Sequence, residues 1–319
     1  MTIKLRSRKE SGSFYLEEAM TENEFLLQDR LQKIRSMNEQ YNLEANAYLS
    51  FSGGRDSTIL HHLLDEALPG NKIPRVYINT GIEYKEVLKF VRSLQERDPR
   101  VIIYNSGVNI KQMLETKGYP FKSKEHAMTL SIYRNSGRTK TVKKYLGEEP
   151  GHTCPKYMCP PKLRYQFSEN FKINISKKCC NELKKKPAAR YAREAGKSIT
   201  ITGMRSSEGG QRSNISCSSF EDNRLVKFHP LVPVPDEWMS WYQREREIVL
   251  SSLYYPPYNF QRTGCKGCPF APELQQELDT MHYLLPEEEK QCEYLWAPVY
   301  AEYRRIGYRL RTNEQKELF

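Results

Sequence analysis

Residues Tyr48–Leu60 read YLSFSGGRDSTIL, an apolar run broken by glycines, serines and a charged pair before apolar residues resume. Gly53 and Gly54 can adopt positive φ and bring consecutive N–H groups together. With the Ser52 and Ser57 hydroxyls and the positive end of a following helix, they would make a nest for an anion such as phosphate. Arg55 adds a charge that is not lost near neutral pH. Asp56 would cap the helix or help hold a metal ion. A plain glycine-rich turn is the competing reading.

The cysteines offer a second chemistry. Cys179-Cys180 lies in SKKCCNELKKKP, and Cys265 and Cys268 lie in RTGCKGCPF. A C-x-x-C turn points both sulfurs at one metal. Adjacent cysteines strain a single tetrahedral zinc but reach two corners of a cuboidal cluster. Two pairs of thiolates therefore favour a 4Fe–4S cluster over zinc. A structural zinc, a redox disulfide, or no metal at all stay open. Cys154 and Cys159, in HTCPKYMCPPK, form C-x4-C: a second metal pair, loop thiols near the cluster, or, with Cys217, persulfide carriers. Cys292, in EKQCEYLW, is expected to be a half-exposed helix cysteine, and His152 an exposed loop residue.

The chain has 319 residues, eight cysteines, a net charge of +11 and a pI near 9.1. The basic balance suits an acidic partner: nucleotide, nucleic acid or phosphorylated substrate. No apolar run approaches the ~20 residues of a membrane span. The N-terminus lacks the apolar core of a signal peptide, so a cytoplasmic location and no membrane partner are expected. Cysteines in that setting suggest thiols or metal ligands rather than a disulfide framework. Lys177–Lys178 and Lys184–Lys186 flank the first cysteine pair, either as a solvated helix face or as compensation for a thiolate-bound cluster. RTKTVKKY, Arg138–Tyr145, is a second basic run. Tyr254, Tyr255, Tyr258 and Phe260 precede the C-x-x-C loop and would pack there or stack on a base.

The elements that must position these groups follow from apolar spacing. A helix is predicted over 21–41, with Phe25, Leu26, Leu31 and Ile34 on its apolar face. Strands are predicted at 47–51, 75–79 and 100–104, with helices at 57–68 and 84–97. Further helices are expected at 125–134 and 138–146, strands at 198–202 and 225–228, and helices at 235–250, 274–283 and 286–319. Alternating strands and helices imply an α/β fold with a doubly wound, mainly parallel sheet. A helical, Cys-rich C-terminal portion would complete it. The expected division is a helical segment over 1–44, a nucleotide-binding α/β domain over 45–230 and a helical portion over 231–319.

SGGRDS resembles the PP-loop of the ATP pyrophosphatase superfamily, usually SGGxDS, with arginine where lysine is common. The resemblance implies an adenine nucleotide alpha hydrolase-like fold and binding of ATP phosphates. INTGIEY, Ile78–Tyr84, resembles a segment that lies beside the nucleotide, which implicates Thr80 and Gly81. The CC…C-x-x-C pattern, with ITGMRSSEGGQRS after the first pair, resembles the phosphoadenosine phosphosulfate (PAPS) and adenylyl sulfate reductase family. Its cluster-bearing members ligate 4Fe–4S through this pattern, which would assign the ligands to Cys179, Cys180, Cys265 and Cys268. It also implies that Gly203, Arg205, Glu208 and Arg212 face substrate anions; Gly209 stands where the family often has serine. The resemblance spans roughly residues 45–270.

Two departures bear on the reaction. Sulfite-forming assimilatory reductases carry a nucleophilic cysteine in an ECGLH-like tail, whereas this sequence closes with RTNEQKELF. The phosphate loop is also close to the ATP-cleaving form, as in DNA phosphorothioation enzymes and certain phage relatives. One expectation is therefore ATP-dependent adenylation of an acceptor, with Mg2+ and Arg55 neutralising pyrophosphate, coupled to sulfur transfer. Arg55, Asp56, Arg205 and Arg212 would be the catalytic residues. The acceptor would be a nucleic acid, and a sulfur donor protein would take part. The alternatives are reduction of adenylyl sulfate or PAPS to sulfite by an external thiol reductant, and a non-catalytic iron–sulfur protein that binds nucleic acid.

Overall fold

A computed structural model describes residues 20–149, 158–208 and 213–312. Helix α1 (Glu22–Tyr41) starts at a capping box: the Thr21 hydroxyl accepts from the Glu24 N–H at 3.2 Å, and the Glu24 carboxylate accepts from the Thr21 N–H at 2.8 Å. Its buried stripe is Leu27, Leu31 and Ile34, while Phe25, expected on the apolar face, is exposed. Asn42 sits at φ +47° and caps the short α2 (Leu43–Asn46).

The sheet contains β1 (Ala47–Ser50), β2 (Arg75–Asn79), β3 (Val101–Asn105), β4 (Ile199–Ile201), β5 (Ser218–Glu221) and β6 (Arg224–Phe228) in the order β3-β2-β1-β4-β6-β5. β1 runs parallel to β2 and β4, with Leu49 opposite Arg75 and Ala47 opposite Ile199. β4 runs parallel to β6. β5, which the periodicity did not reveal, pairs antiparallel with β6. Asp222 and Asn223, both at positive φ, make the two-residue turn between them. Helices α3 (Arg55–Ala67) and α4 (Lys85–Arg97) follow β1 and β2, so the fold is the expected mainly parallel α/β sheet with flanking helices.

The connection from β3 to β4 is long and helical: α5 (Ile110–Lys117), α6 (Lys124–Ser136), α7 (Lys140–Leu146), a π-helical turn at Asn181–Lys185 and α8 (Lys186–Glu194). α9 (Asp236–Glu245) stops short of the expected 250, where Glu247 takes φ +48°. α10 (Leu274–Leu284) and α11 (Pro286–Ile306) follow, and α11 ends on Gly307 at φ +58° rather than running to 319. No described helix is long and apolar enough to cross a membrane.

Two compact units result. The first holds the described residues of Met1–Tyr77, Phe90–Ile103 and Tyr191–Ser251; the second holds those of Ile78–Lys89, Tyr104–Arg190 and Ser252–Phe319. The core of the first includes Leu49, Leu60, Leu64, Ile201 and Trp238, with Trp238 stacked on Tyr242 at 4.9 Å. That of the second includes Leu114, Phe121, Leu130, Trp296 and Tyr303. Among the described residues His61, Asp65 and Asp98 alone form a trio close enough to share one metal ion. Guanidinium groups already fill that position. The buried Arg75 meets Asp65 at 2.7 Å, and Arg100 meets Asp65 and Asp98 at 2.8 Å each. It is an ion-pair network that fixes the start of β2.

Candidate functional site: a phosphate loop and a thiol constellation

In the first unit, β1 runs into the loop at Ser52. Gly53 takes φ +68°. The Ser57 hydroxyl accepts from the Ser52 N–H at 3.2 Å and donates to the Gly54 carbonyl at 2.9 Å, while the Ser52 hydroxyl accepts from the Gly54 N–H at 3.3 Å. Gly54 is the N-cap of α3 and no side chain caps the helix. Gly54 has no side chain with which to cap the helix, which is the condition that lets a positive helix end hold an external anion.

Asp56 does not take the capping role considered from sequence. It sits in the first turn of α3 with Arg205 Nε 3.4 Å from its carboxylate. Arg205 is nearly buried and also meets Asp236 at 2.7 Å and Ser207 Oγ at 2.9 Å. Arg55 reaches Ser240 Oγ at 2.8 Å. Both arginines of the loop region thus touch α9, and neither Asp236 nor Ser240 was singled out from sequence. The available signal was the acidic start of a helix straight after Pro235.

Gly203 explains itself by space rather than by φ. A Cβ there would lie 2.9 Å from the Asp56 carbonyl and 3.2 Å from the Ser57 nitrogen. The end of β4 is thereby pressed against the first turn of α3. Glu208 closes the 3-10 turn Ser206–Glu208, and Arg212 lies outside the described residues.

In the second unit, Gly81 takes φ +81°. Thr80 donates its N–H to Glu83 at 3.1 Å and its hydroxyl at 2.9 Å. Glu83, nearly buried, lies 3.3 Å from Lys184 Nζ. Lys184 belongs to the π-helical turn just after Cys180, a distortion often found at functional sites. Burial works against its charge, but the Cys265 sulfur and Glu83 hold its ammonium above the usual lysine range. Thr80, Glu83, Lys184 and Cys265 thus form one continuous polar contact chain.

Burial pushes the Cys179, Cys265 and Cys268 thiols above the ordinary thiol range. Cys265 and Cys180 raise Cys179 further, and Cys265, Cys179 and Cys180 raise Cys268 further. Each pair thus feels the charge of the other. Four thiolates on one zinc, with Zn–S about 2.3 Å, would stand ~3.8 Å apart. Among the described residues no three thiol sulfurs come within 4.8 Å of one another. As placed, the four sulfurs are more open than a closed tetrahedral zinc site.

The C-x-x-C turn is held by α11. Trp296 Nε1 donates to the Lys266 carbonyl at 3.3 Å, the Tyr300 hydroxyl to that of Gly267, and the Tyr303 hydroxyl to that of Pro269 at 2.8 Å. Gly267, at φ +57°, has no room for a Cβ: Tyr300 and, 2.8 Å away, the Cys292 sulfur occupy it. The buried Lys266 ammonium faces the buried Glu288 carboxylate at 3.7 Å, and Glu288 also accepts the Lys85 N–H at 2.6 Å.

Cys292 is fully buried, not half-exposed as expected, because the inner face of α11 packs on the C-x-x-C turn; burial pushes its thiol to about 12. Cys159 is buried near Lys122 and its thiol is pushed to about 11 by burial. Cys217 is half-buried in the first unit. Cys154 and His152 lie outside the described residues. Of the aromatic group, Phe260 packs on Tyr84 at 5.0 Å and the Tyr254 hydroxyl meets Thr263 at 2.8 Å, so both serve packing.

A glycine-turned phosphate loop after the first strand of a mainly parallel sheet is the mark of a PP-loop α/β protein. The model of the phosphoadenosine phosphosulfate reductase domain matches residues 46–152 and 160–271, and the chain belongs to that family. An uncharacterized protein of Methanocaldococcus jannaschii is 23% identical over 241 residues, 75% of this chain; the chain spans only 44% of that relative. Similar solved structures include PAPS reductase from Candida auris in a phosphate complex (14% identity, 80% of this chain and 98% of that one, TM-score 0.43). The U34-tRNA thiolase NcsA from Methanococcus maripaludis with its [4Fe-4S] cluster is another (14%, 87% and 80%, 0.38). A third is NH3-dependent NAD synthetase from Campylobacter jejuni with nitrate (12%, 88% and 95%, 0.39).

Proposed function

We propose that the protein is an iron–sulfur enzyme that adenylates an acceptor with ATP, releases pyrophosphate and prepares that acceptor for sulfur transfer. The observation that carries this reading is the uncapped α3 N-terminus behind Gly53, hemmed in by Gly203. An acceptor oxygen attacks the α-phosphorus of ATP. The bond from that phosphorus to the bridging oxygen breaks, and pyrophosphate leaves with the electron pair. The N–H groups and hydroxyls of Ser52–Ser57 would hold the charge that develops on the leaving group. Arg55 and Arg205 add positive charge, with Arg205 oriented by Asp236. Glu208, Arg212, Thr80 and Gly81 would contact other parts of the nucleotide. Mg2+ would arrive on the nucleotide phosphates, because Arg205 already engages Asp56. A sulfide-level nucleophile from an external donor would then displace AMP.

Cys179, Cys180, Cys265 and Cys268 would hold a 4Fe–4S cluster; when bound, it would supply an electron reservoir and iron with affinity for sulfur. Lys184 would balance the charge of that thiolate set through Cys265.

The test is anaerobic incubation with ATP, Mg2+ and candidate acceptors. Pyrophosphate is expected at once, with AMP following in equal amount only when a sulfide donor is added, and Ser57→Ala should slow pyrophosphate release at least tenfold. No release with any acceptor would reject the reading. Iron and acid-labile sulfide should both be present at about four per chain for a cubane cluster; one zinc without sulfide would reject the cluster. The family match supports a second reading, reduction of adenylyl sulfate or PAPS by an external dithiol. Sulfite formed from either compound without pyrophosphate release would replace the first reading with it.

A further inference from the structure

Residues 117–186 carry 17 of the 50 Lys and Arg but only five of the 39 Asp and Glu. Their net charge of +12 exceeds the +11 of the whole chain, so the rest is close to neutral. This segment occupies most of the connection between β3 and β4 and belongs to the second unit.

Its charges sit on adjoining elements. α6 and α7 pack together. Arg134 of α6 donates to the Phe171 and Ile173 carbonyls at 3.2 and 2.6 Å, and Lys177 Nζ meets Met128 Sδ of α6 at 3.0 Å. α7 buries Val142, Tyr145 and Leu146 and exposes Lys140, Lys143 and Lys144. Among the described residues those three lysines, with the exposed Lys172 and Lys178, have no carboxylate partner. The basic run then leads directly into Cys179.

We propose that this insertion is a docking surface for the phosphate backbone of a nucleic acid, which it presents to the thiol constellation. Only the role of the docked chain as acceptor rests on the adenylation reading. A membrane surface fits less well: membrane-seeking helices expose large apolar side chains, and among the described residues of this segment only Tyr165 does so, at 36%. An acidic protein fits less well too, because protein interfaces are depleted in lysine, and 14 of the 17 basic residues here are lysine. Unpaired lysines that replace counterions on a phosphate chain give strongly salt-dependent binding.

The experiment measures anisotropy of labelled tRNA, single-stranded DNA and duplex DNA with the full chain and no ATP. The outcome therefore stands apart from any failure of the adenylation assay. At least one probe should bind, and its affinity should fall about a hundredfold or more between ~50 and ~200 mM salt. The triple variant Lys140→Glu, Lys143→Glu, Lys144→Glu should weaken binding at least tenfold and flatten the log–log salt slope by about 2–3. The control Lys72→Glu, Arg224→Glu, Lys227→Glu changes net charge equally and should stay within threefold of wild type. If the first variant misfolds, the corresponding triple glutamine variant replaces it. The proposal is overturned by no binding at ~50 mM salt, by equal weakening in both variants, or by equal affinity for polyglutamate or anionic vesicles. The three probes report whether RNA or DNA is the source of the phosphates.

Discussion

Gly203 leaves a gap that the first turn of α3 fills, and the contact is backbone to backbone. Gly203→Ala would place a methyl group 2.9 Å from the Asp56 carbonyl, which has no flexible side chain to swing aside. We expect a loss of about 1–3 kcal/mol in stability and at least a tenfold loss of nucleotide affinity, measured by thermal unfolding and titration calorimetry. Among the thiols, Cys265→Ala should abolish iron retention. Cys292→Ala should retain iron and cost only packing, because its buried thiol already packs against Gly267 under α11; equal iron loss in both would make Cys292 a ligand. SGGRDS was legible in the sequence because its geometry is local, set by glycine φ and a strand-to-helix change. Asp236, Ser240 and Glu83 were not, because their partners Arg205, Arg55 and Lys184 lie 31, 185 and 101 positions away, in contacts that no periodicity encodes.

The helix α11 acts as a clamp on the C-x-x-C turn through three aromatic donors to three successive parts of its backbone. Tyr300→Phe removes the donor to the Gly267 carbonyl and leaves a buried acceptor unmatched, at a cost of about 1–3 kcal/mol. Its checkable signature is faster iron release to a chelator at a temperature where the variant stays folded; an unchanged rate would argue that the turn is rigid without the clamp. Apolar spacing revealed that residues 286–306 are helical but not what they hold, since side-chain hydroxyls aimed at carbonyls leave no pattern. α5 and α8 escaped notice for another reason. α5 has eight residues, and α8 opens with Lys186-Pro187 amid a lysine run that reads as a solvated segment. β5 spans four residues and pairs only with its hairpin partner.

Stability of the whole molecule should depend on pH through its buried histidines. Burial lowers His126 and His229 to about 4 from 6.5. Their contribution is complete above about 6.5, where the unfolded histidine is also neutral, and is lost as pH falls toward 4, at most roughly 3 kcal/mol for each. Glu277, raised to about 7 by burial and then by Glu273, has the opposite sign: its contribution is present below about 4.5 and lost as pH rises through 7. Two histidines outweigh one glutamate, so the melting temperature should drop between pH 7 and pH 5; a flat or rising profile would contradict these assignments. The fold class and the excess of positive charge were legible from the whole sequence, because alternation and composition survive without knowledge of contacts. The division into two units was not, because each is assembled from three separated stretches and the backbone passes from one to the other five times. That threading has a genetic consequence. Neither unit can be excised as an uninterrupted cassette, so recombination that swaps gene segments would have to cut and rejoin several times or permute the termini. Descendants of this chain are therefore expected to inherit the phosphate loop and the thiol constellation as one indivisible block.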